Sequence, residues 1–391
     1  MKKYKVGIFI DAFYPMIDGV ISVVDNLAKH LSDKLDITIF TIKPSGNKED
    51  TTVHPYKVVR CKSKPVIYLD YDLATPKLDR AFRKTLKESN LDLIYYHSPF
   101  TLASVATKYA KKHHIPCICH LHSQYKRDVQ RATHNKVLTN IILKIFMKNF
   151  NRADLAIAVN EFTEKLYKEE YKLKVPVKVV YNATSMTPCS DTAKARDIVN
   201  QRFGLKDNEK LFLYVGRINK LKNIDLILDS LSLVEEKYSN FKMLLVGSGK
   251  NLEYFQNKVK GLGLEDKVIF AGKILEQDLL TYIYCRSDLF LFPSQYDTDG
   301  IVKIEASSQH TPTVFIENTG ACSAITDNEN GFISKNTPQD YADKILLALT
   351  DEELYNKVCQ NAYKTLYRTW QESADEIYKI IVDTINGGKN E

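Results

Sequence analysis

Two carboxylates eight positions apart, Asp297 and Glu305, lie on either side of Gly300, which is placed to open a helix. The run Leu289–Phe292 reads as a buried strand, and Pro293 and Ser294 end it. Asp297 then stands just before the helix, with Glu305 about a turn and a half inside it. Both can face one ligand set over the helix start. The free N–H groups of Gly300, Ile301 and Val302 suit an anion there, aided by the helix dipole. Carboxylates that accept from hydroxyls, beside amides that hold phosphate, are the chemistry of a sugar nucleotide.

A second candidate follows an earlier strand, Tyr214-Val215-Gly216-Arg217-Ile218-Asn219-Lys220-Leu221-Lys222-Asn223. A fixed guanidinium (Arg217) with a second cation (Lys222) suits a diphosphate. Alone, the run is an ordinary basic strand-to-helix loop. About eighty residues before Asp297 in one chain, the ligand reading is the better one.

Cys117-Ile118-Cys119-His120-Leu121-His122 resembles a metal site on paper. On a strand the cysteines share one face and the histidines the other, so the four diverge and zinc is not expected. His97 and His120 follow strands, where a lone histidine is commonly a hydrogen-bonded core residue. His113, His114 and His134 read as surface.

The elements that must position these groups alternate. Strands are expected at Lys5–Ile10, Asp36–Thr41, Leu91–Tyr96, Pro116–His120, Leu155–Val159 and Val177–Tyr181. Helices are expected at Val20–Leu31, Lys77–Ser89, Thr101–His113 and Asn135–Asn151. A polar stretch from Asn182 to Lys210, holding one short helix at most, makes the domain boundary. The alternation restarts with strands Leu211–Val215, Lys242–Val246 and Val268–Ala271 and helices Ile224–Lys237, Leu252–Leu262 and Glu276–Cys285. A last helix, Gln371–Ile385, carries Ile377, Ile380 and Ile381 on one side and is expected to cross back to the first domain. The fold class is α/β, two doubly wound Rossmann-like domains facing a cleft, with domains at 1–186 and 187–370 and a crossover tail at 371–391.

A chain of 391 residues suits two such domains. Its 44% apolar and 26% charged residues fit a globular protein, and no window approaches a membrane span. Met1–Phe13 reads as a first strand rather than a signal peptide, because Asp11 interrupts the apolar run. Seven scattered cysteines argue for a reducing compartment. Residues 1–186 hold 31 basic against 18 acidic residues, a net +13, whereas the remainder holds 24 against 30, a net −6. One face should meet something anionic.

Several motifs stand in a fixed order: Asp11-Ala12-Phe13-Tyr14-Pro15 with Asp18-Gly19-Val20, His97-Ser98-Pro99-Phe100, and His122-Ser123-Gln124-Tyr125. Gly216-Arg217…Lys222-Asn223, Gly247-Ser248-Gly249, the paired-acid block and Asn330-Gly331-Phe332 follow. In this order the chain resembles a family 4 retaining glycosyltransferase of the GT-B fold, nearest to the branch with diacylglycerol glucosyltransferases. The resemblance implies that Arg217 and Lys222 hold the donor diphosphate and stabilise its growing charge. It implies that Glu305 accepts from ribose hydroxyls and that Asp297 holds the transferred sugar, with the Gly300, Ile301 and Val302 amides nearby. His122 would project toward the reacting sugar, and Gly19 would let the first loop approach the donor closely. Retention in such enzymes uses a leaving phosphate oxygen, not a protein nucleophile, to take the acceptor proton.

Three positions depart from the family pattern. Asp297 stands where Glu is usual, Asp299 replaces an aromatic, and Asp18-Gly19 replaces Gly-Gly. Asp297-Thr298-Asp299 also spells the D-x-D that holds Mn²⁺ or Mg²⁺ in single-domain glycosyltransferases. Arg217 and Lys222 already supply positive charge, so no metal or other cofactor is expected.

The segment Asn135–Lys148 sets Lys136, Lys144 and Lys148 on one stripe, with apolar residues around most of the rest. Two readings are open: a helix packed on its sheet with a solvated lysine row, or a helix at an anionic bilayer surface. Lys126, Arg127 and Arg131 add to the second. Nucleic acid is not expected, since no binding module or interleaved aromatic is present. The expected protein is a hexosyltransferase (EC 2.4.1.-) of cell-envelope glycan synthesis, cytoplasmic and peripheral on the inner face of the membrane. Its donor would be a UDP-linked sugar and its acceptor a membrane lipid or a lipid-linked or polysaccharide glycan, met by the loops Ser63–Pro76 and Ser123–Asn135. The alternatives are a non-catalytic partner subunit or a nucleotide-sugar epimerase of the same fold.

Overall fold

The computed structural model describes residues 3–16, 18–44, 50–65 and 72–387. The chain divides into two units, one of residues 1–182 with 370–391 and one of residues 183–369.

In the first unit β1 (Lys5–Phe9), α1 (Gly19–Leu31), β2 (Asp36–Ile42) and β3 (Lys57–Cys61) are followed by a short antiparallel pair, β4 (Ser63–Lys64) and β5 (Leu73–Ala74). Then come α2 (Arg80–Glu88), β6 (Leu93–Tyr96), α3 (Thr101–His113), β7 (Cys117–Leu121), α4 (Tyr125–Thr133), α5 (Lys136–Phe150), β8 (Leu155–Ala158), α6 (Glu161–Lys165) and β9 (Val177–Val179). The main sheet is parallel throughout, in the order β3-β2-β1-β6-β7-β8-β9. Its inner strands β1, β6, β7 and β8 are buried almost throughout, as strands of a parallel sheet covered by helices on both faces are.

The second unit runs α7 (Thr192–Phe203), β10 (Lys210–Val215), α8 (Ile224–Glu235), β11 (Phe241–Val246), α9 (Leu252–Gly261), β12 (Val268–Gly272) and α10 (Gln277–Arg286). It continues with β13 (Leu289–Leu291), α11 (Ile301–Ser308), β14 (Thr313–Ile316), β15 (Phe332–Ser334), α12 (Pro338–Thr350) and α13 (Glu352–Leu366). Its sheet, again parallel, has the order β12-β11-β10-β13-β14-β15. Phe212 and Tyr214 join one core layer and Leu211 and Leu213 the other, as alternation along β10 requires.

In both sheets the order reverses beside the first strand of the unit, between β1 and β6 and between β10 and β13. Loops leave such a point in opposite directions and open a crevice at the carboxyl ends of the strands.

The last helix, α14 (Trp370–Gly387), belongs to the first unit and packs on α1. Trp370, Ile377 and Ile381 are buried. The Lys34 ammonium lies 2.5 Å from Asp375, and the Ser373 hydroxyl donates to the Tyr181 carbonyl at 2.8 Å.

Several expectations are corrected. The helix expected from Lys77 begins at Arg80, because the Asp79 carboxylate caps it by accepting from Phe82 N at 3.0 Å. The polar stretch 182–210 contains α7, a full twelve residues, capped by Asp191 and closed by left-handed Gly204. Its Ala195 and Val199 are buried and it packs on α10. The loop expected over Ser123–Asn135 is mostly α4, and residues 66–71 of the loop Ser63–Pro76 lie outside the described residues.

Candidate active site

Three loops meet around the β10/β13 reversal in the second unit. The first two are locked backbone to backbone: Gly216 N donates to Val246 O at 3.0 Å and Ile218 N to Ser248 O at 3.0 Å. A Cβ on Gly247 would stand 1.8 Å from the Gly216 carbonyl oxygen, so no other residue fits there. This contact fixes the backbone that carries Arg217, whose side chain is exposed. Lys222 ends a single 3₁₀ turn (Lys220–Lys222), and Asn223 follows in a left-handed conformation. The Asn223 amide donates to the Pro293 carbonyl at 3.2 Å and to Asn336 Oδ1 at 2.9 Å, tying the first loop to the third.

Across that tie the Lys222 ammonium reaches both carboxylate oxygens of Asp297, at 2.5 and 2.7 Å. Both side chains are mostly shielded from water, so the pair is stronger than a surface ion pair. Asp299 pairs with Lys303 at 2.7 Å, and both are buried. Lys303 also donates to the Ala321 carbonyl at 3.1 Å. The two acids of the D-x-D run thus answer to two different lysines. Gly300 has φ +85°, and a Cβ there would lie 2.6 Å from the Phe292 ring, so glycine is required at the turn into α11. The amides of Gly300, Ile301 and Val302 stand at the start of that helix, where no intrahelical acceptor is in reach.

Glu305 accepts a hydrogen bond from the Tyr284 hydroxyl at 2.9 Å. Burial pushes its carboxyl above the ordinary range, against the pull of that hydrogen bond. Tyr284 is itself raised by burial first, then by Glu305 and by Tyr214. The Tyr214 phenol, raised mainly by burial, also feels Asp297 and, in the opposite sense, Arg217. Arg217, Asp297, Tyr214, Tyr284 and Glu305 therefore form one electrostatic neighbourhood. The sequence reading missed Tyr214, Tyr284 and Lys303. Tyr284 sits in an amphipathic helix whose pattern is equally that of packing, but Lys303, four residues after Asp299 on a helix, was a visible signal.

In the first unit, Asp11 follows β1 and Ser98 follows β6. The Ser98 hydroxyl donates to Asp11 Oδ2 at 2.6 Å, and Leu102 N donates to Oδ1 at 3.1 Å, so the buried carboxylate caps α3. Burial raises its pKa to about 6 in spite of those hydrogen bonds. Asp18 caps α1 through Ile21 N at 2.8 Å, which accounts for an acid where the family pattern has glycine. Gly19 is exposed, and among the described residues nothing lies within 4 Å of where a Cβ would stand, so their packing does not require glycine there.

Cys117 and Cys119 enter the hydrophobic core, while His120 and His122 lie on the opposite side of β7, as alternation predicts. His97 joins them there, with a 2.9 Å contact between its Nδ1 and His122 Nε2. The Tyr95 hydroxyl meets His120 Nδ1 at 2.6 Å. Burial lowers all three histidines, His122 to about 3.

One face of α5 packs on the core through Met147 and Phe150, while Asn149 donates to the Pro99 carbonyl at 2.7 Å. The outward face carries Lys136, Lys144 and Lys148, all exposed. It also carries an apolar ridge that the sequence reading did not separate from packing residues: Val137 (69% exposed), Leu138 (44%), Ile141 (51%) and Ile145 (55%). On neighbouring α4, Lys126 faces Glu170 at 3.6 Å and Arg131 faces Asp128 at 3.4 Å, with Arg127 exposed between them. Among the described residues no helix is long and apolar enough to cross a membrane.

Residues 17–186 match the family model described as Glycosyltransferase Family 4, and residues 195–365 match that of glycosyl transferases group 1. The chain belongs to glycosyltransferase family 4. This transferase is 24% identical to the alpha-monoglucosyldiacylglycerol synthase of Streptococcus pneumoniae, over 94% of the chain and 86% of the relative. It is also 24% identical to the N-acetyl-alpha-D-glucosaminyl L-malate synthase of Bacillus anthracis, over 99% of both. In fold the transferase is similar to the sucrose-phosphate synthase of Thermosynechococcus elongatus, with a TM-score of 0.78 at 18% identity over 98% of the chain and 100% of the other. It is likewise similar to Anabaena HepE in complex with UDP and glucose, with a TM-score of 0.74 at 19% identity over 97% and 99%. The transferase thus has the GT-B fold of two Rossmann-like units.

Proposed function

We propose that this glycosyltransferase moves a hexose, with retention of configuration, from a UDP-linked donor to a membrane lipid or a lipid-linked or polysaccharide acceptor. The observation that carries the reading is the Lys222–Asp297 pair at the β10/β13 reversal, with Tyr214 feeling both Asp297 and Arg217 and Tyr284 donating to Glu305. A diphosphate competes with Asp297 for the lysine. Once it wins, Lys222 and Arg217 stabilise the charge that grows on the leaving phosphate, and the released carboxylate accepts from hydroxyls of the transferred sugar. Glu305 accepts from the ribose, and the amides of Gly300, Ile301 and Val302 face the anion. His122 of the first unit serves at the reacting sugar, and Gly19 leaves the donor room. A leaving phosphate oxygen takes the acceptor proton on the same face, so the protein supplies position and charge rather than a nucleophile.

Cations already sit on both acids of the D-x-D run, which supports transfer without a metal. The UDP assignment is supported by the similarity to HepE in its UDP complexes. A lipid acceptor is supported by the diacylglycerol-named relatives and by α5, whose apolar ridge and lysines suit the inner, anionic face of a cell membrane. Incubation with a panel of nucleotide sugars, with and without detergent-dispersed diacylglycerol or lipid-linked glycan, tests this. The expected result is acceptor-dependent UDP release and an α-linked product from an α-linked donor. If no donor gives up its nucleotide while a glycan still binds, the reading fails.

A further inference from the structure

Two buried ring nitrogens in the first unit, His97 Nε2 and His120 Nε2, have no hydrogen-bond partner among the described residues, although each lies beside the histidine assigned to the reacting sugar. One ring nitrogen from each of His97, His120 and His122 lies within 4.8 Å of the others, close enough to suggest a metal ion. The ring geometry points elsewhere. The His97 and His122 ring centres are 5.2 Å apart with planes 18° from parallel, while Nδ1 and Nε2 are 2.9 Å apart. For that nitrogen separation the centres lie as far apart as two ring radii allow, so the imidazoles meet edge to edge in one straight hydrogen bond. The line on which an ion would be shared is already taken by a proton. His120 lies over the His122 ring, centre to centre at 4.1 Å, and the Tyr95 hydroxyl holds it at Nδ1.

We propose that His97 is a positioning residue that fixes the ring and the proton of His122. Either partner can donate in the shared bond. If His122 donated, His97 would carry its own proton on Nε2, a buried atom with no partner among the described residues. Orphaned buried N–H groups are rarer than under-used acceptors. The geometry therefore favours His97 Nδ1–H donating to His122 Nε2, which leaves the His122 proton on Nδ1. The shared bond occupies Nε2, so Nδ1 is the ring nitrogen that remains to offer a proton, and His122 keeps 8% of its surface exposed. Burial keeps both rings neutral at pH 7. His122 accordingly offers a fixed hydrogen-bond donor, and the importance of this donor for turnover rests on the transferase reading above.

Nitrogen-15 NMR of histidine-labelled protein, with the His122 signals assigned by their loss in His122→Gln, tests the proposal without reference to activity. The expected pattern in the native protein is a proton on Nδ1 and a bare Nε2. The same pattern is expected in His97→Asn, whose amide keeps a donor near the place of Nδ1. In His97→Phe the two tautomers should mix. With the donor identified, kcat should fall about tenfold in His97→Phe and recover in His97→Asn, with KM for the nucleotide sugar unchanged. A His122 proton on Nε2 in the native protein, or an unaltered His122 spectrum in His97→Phe, overturns the proposal, and the first outcome can be read even if His97→Phe does not fold. A changed spectrum with unchanged turnover keeps the role of His97 and removes His122 from the reaction.

Discussion

The Lys222 ammonium touches both oxygens of Asp297, 2.5 and 2.7 Å away, so the residue assigned to the diphosphate and the residue assigned to the sugar are each other's partners. Binding a donor is then an exchange of partners. The lysine trades a carboxylate for a phosphate, and the carboxylate trades an ammonium for hydroxyls.

That exchange separates affinity from turnover. Asp297→Ala frees Lys222, so UDP alone should bind at least as tightly as to the native protein, while turnover falls about a hundredfold through loss of the sugar contact. Lys222→Ala should weaken UDP and turnover together. Calorimetry with UDP beside initial rates checks both; weaker UDP binding in Asp297→Ala would mean that the carboxylate does not compete for the lysine.

Glu305 should act on the nucleotide alone. Glu305→Ala removes an acceptor from a shielded site and should cost about 1.5–3 kcal/mol of UDP affinity. The loss should shrink when UDP lacking ribose hydroxyls is the ligand. Because burial disfavours the charged form of this carboxyl, Glu305→Gln should not lower the melting temperature. Equal losses for UDP and its deoxy analogues would detach Glu305 from the ribose.

Acid should weaken the first unit from slightly acidic pH downward. His97, His120 and His122 are all held neutral in the fold, with His122 lowered to about 3. An unfolded histidine protonates near pH 6.5, so below that pH the unfolded chain binds more protons and stability falls. The slope approaches about 1.4 kcal/mol per pH unit for each such histidine. Asp11, raised to about 6, acts in the opposite sense between its ordinary 3.8 and that value, offsetting part of the slope. Urea unfolding of the full chain at pH 7 and pH 5 measures the difference, and His120→Phe should remove about a third of the histidine contribution. A flat response would show that these imidazoles take up protons in the folded chain.

Membrane association should need both features of α5. Ile141→Glu with Ile145→Glu should abolish sedimentation with vesicles containing anionic lipid, by losing buried apolar area and adding repulsion. Lys144→Ala and Lys148→Ala should each cost about 1 kcal/mol, and binding should fade with salt. Equal binding to neutral vesicles would remove the electrostatic part of the argument.

Much of the architecture was legible because parallel strands covered on both faces read as short apolar runs, as at Leu211–Val215 and Leu93–Tyr96. The strands at Thr313–Ile316 and Phe332–Ser334 escaped because four and three residues carry no period. The helix at Thr192–Phe203 escaped because it buries only a narrow side. At the candidate site, residue types and spacing singled out Arg217, Lys222, Asp297 and Glu305. What they could not show was how those groups pair with one another, since Lys222 and Asp297 are far apart in the chain. The ridge on α5 was hidden for another reason. An apolar residue that faces water and one that faces the core look alike in a sequence, and only burial tells Ile141 from Met147.

The helix α14 completes the first unit but is synthesised after the whole of the second. During translation the second unit can close on itself as soon as it leaves the ribosome, whereas the outer side of α1 waits, bare and sticky, for Trp370, Ile377 and Ile381 to emerge. A nascent chain stalled before residue 370 should therefore recruit holding chaperones to its first unit, and the emergence of α14 should be the event that lets them go.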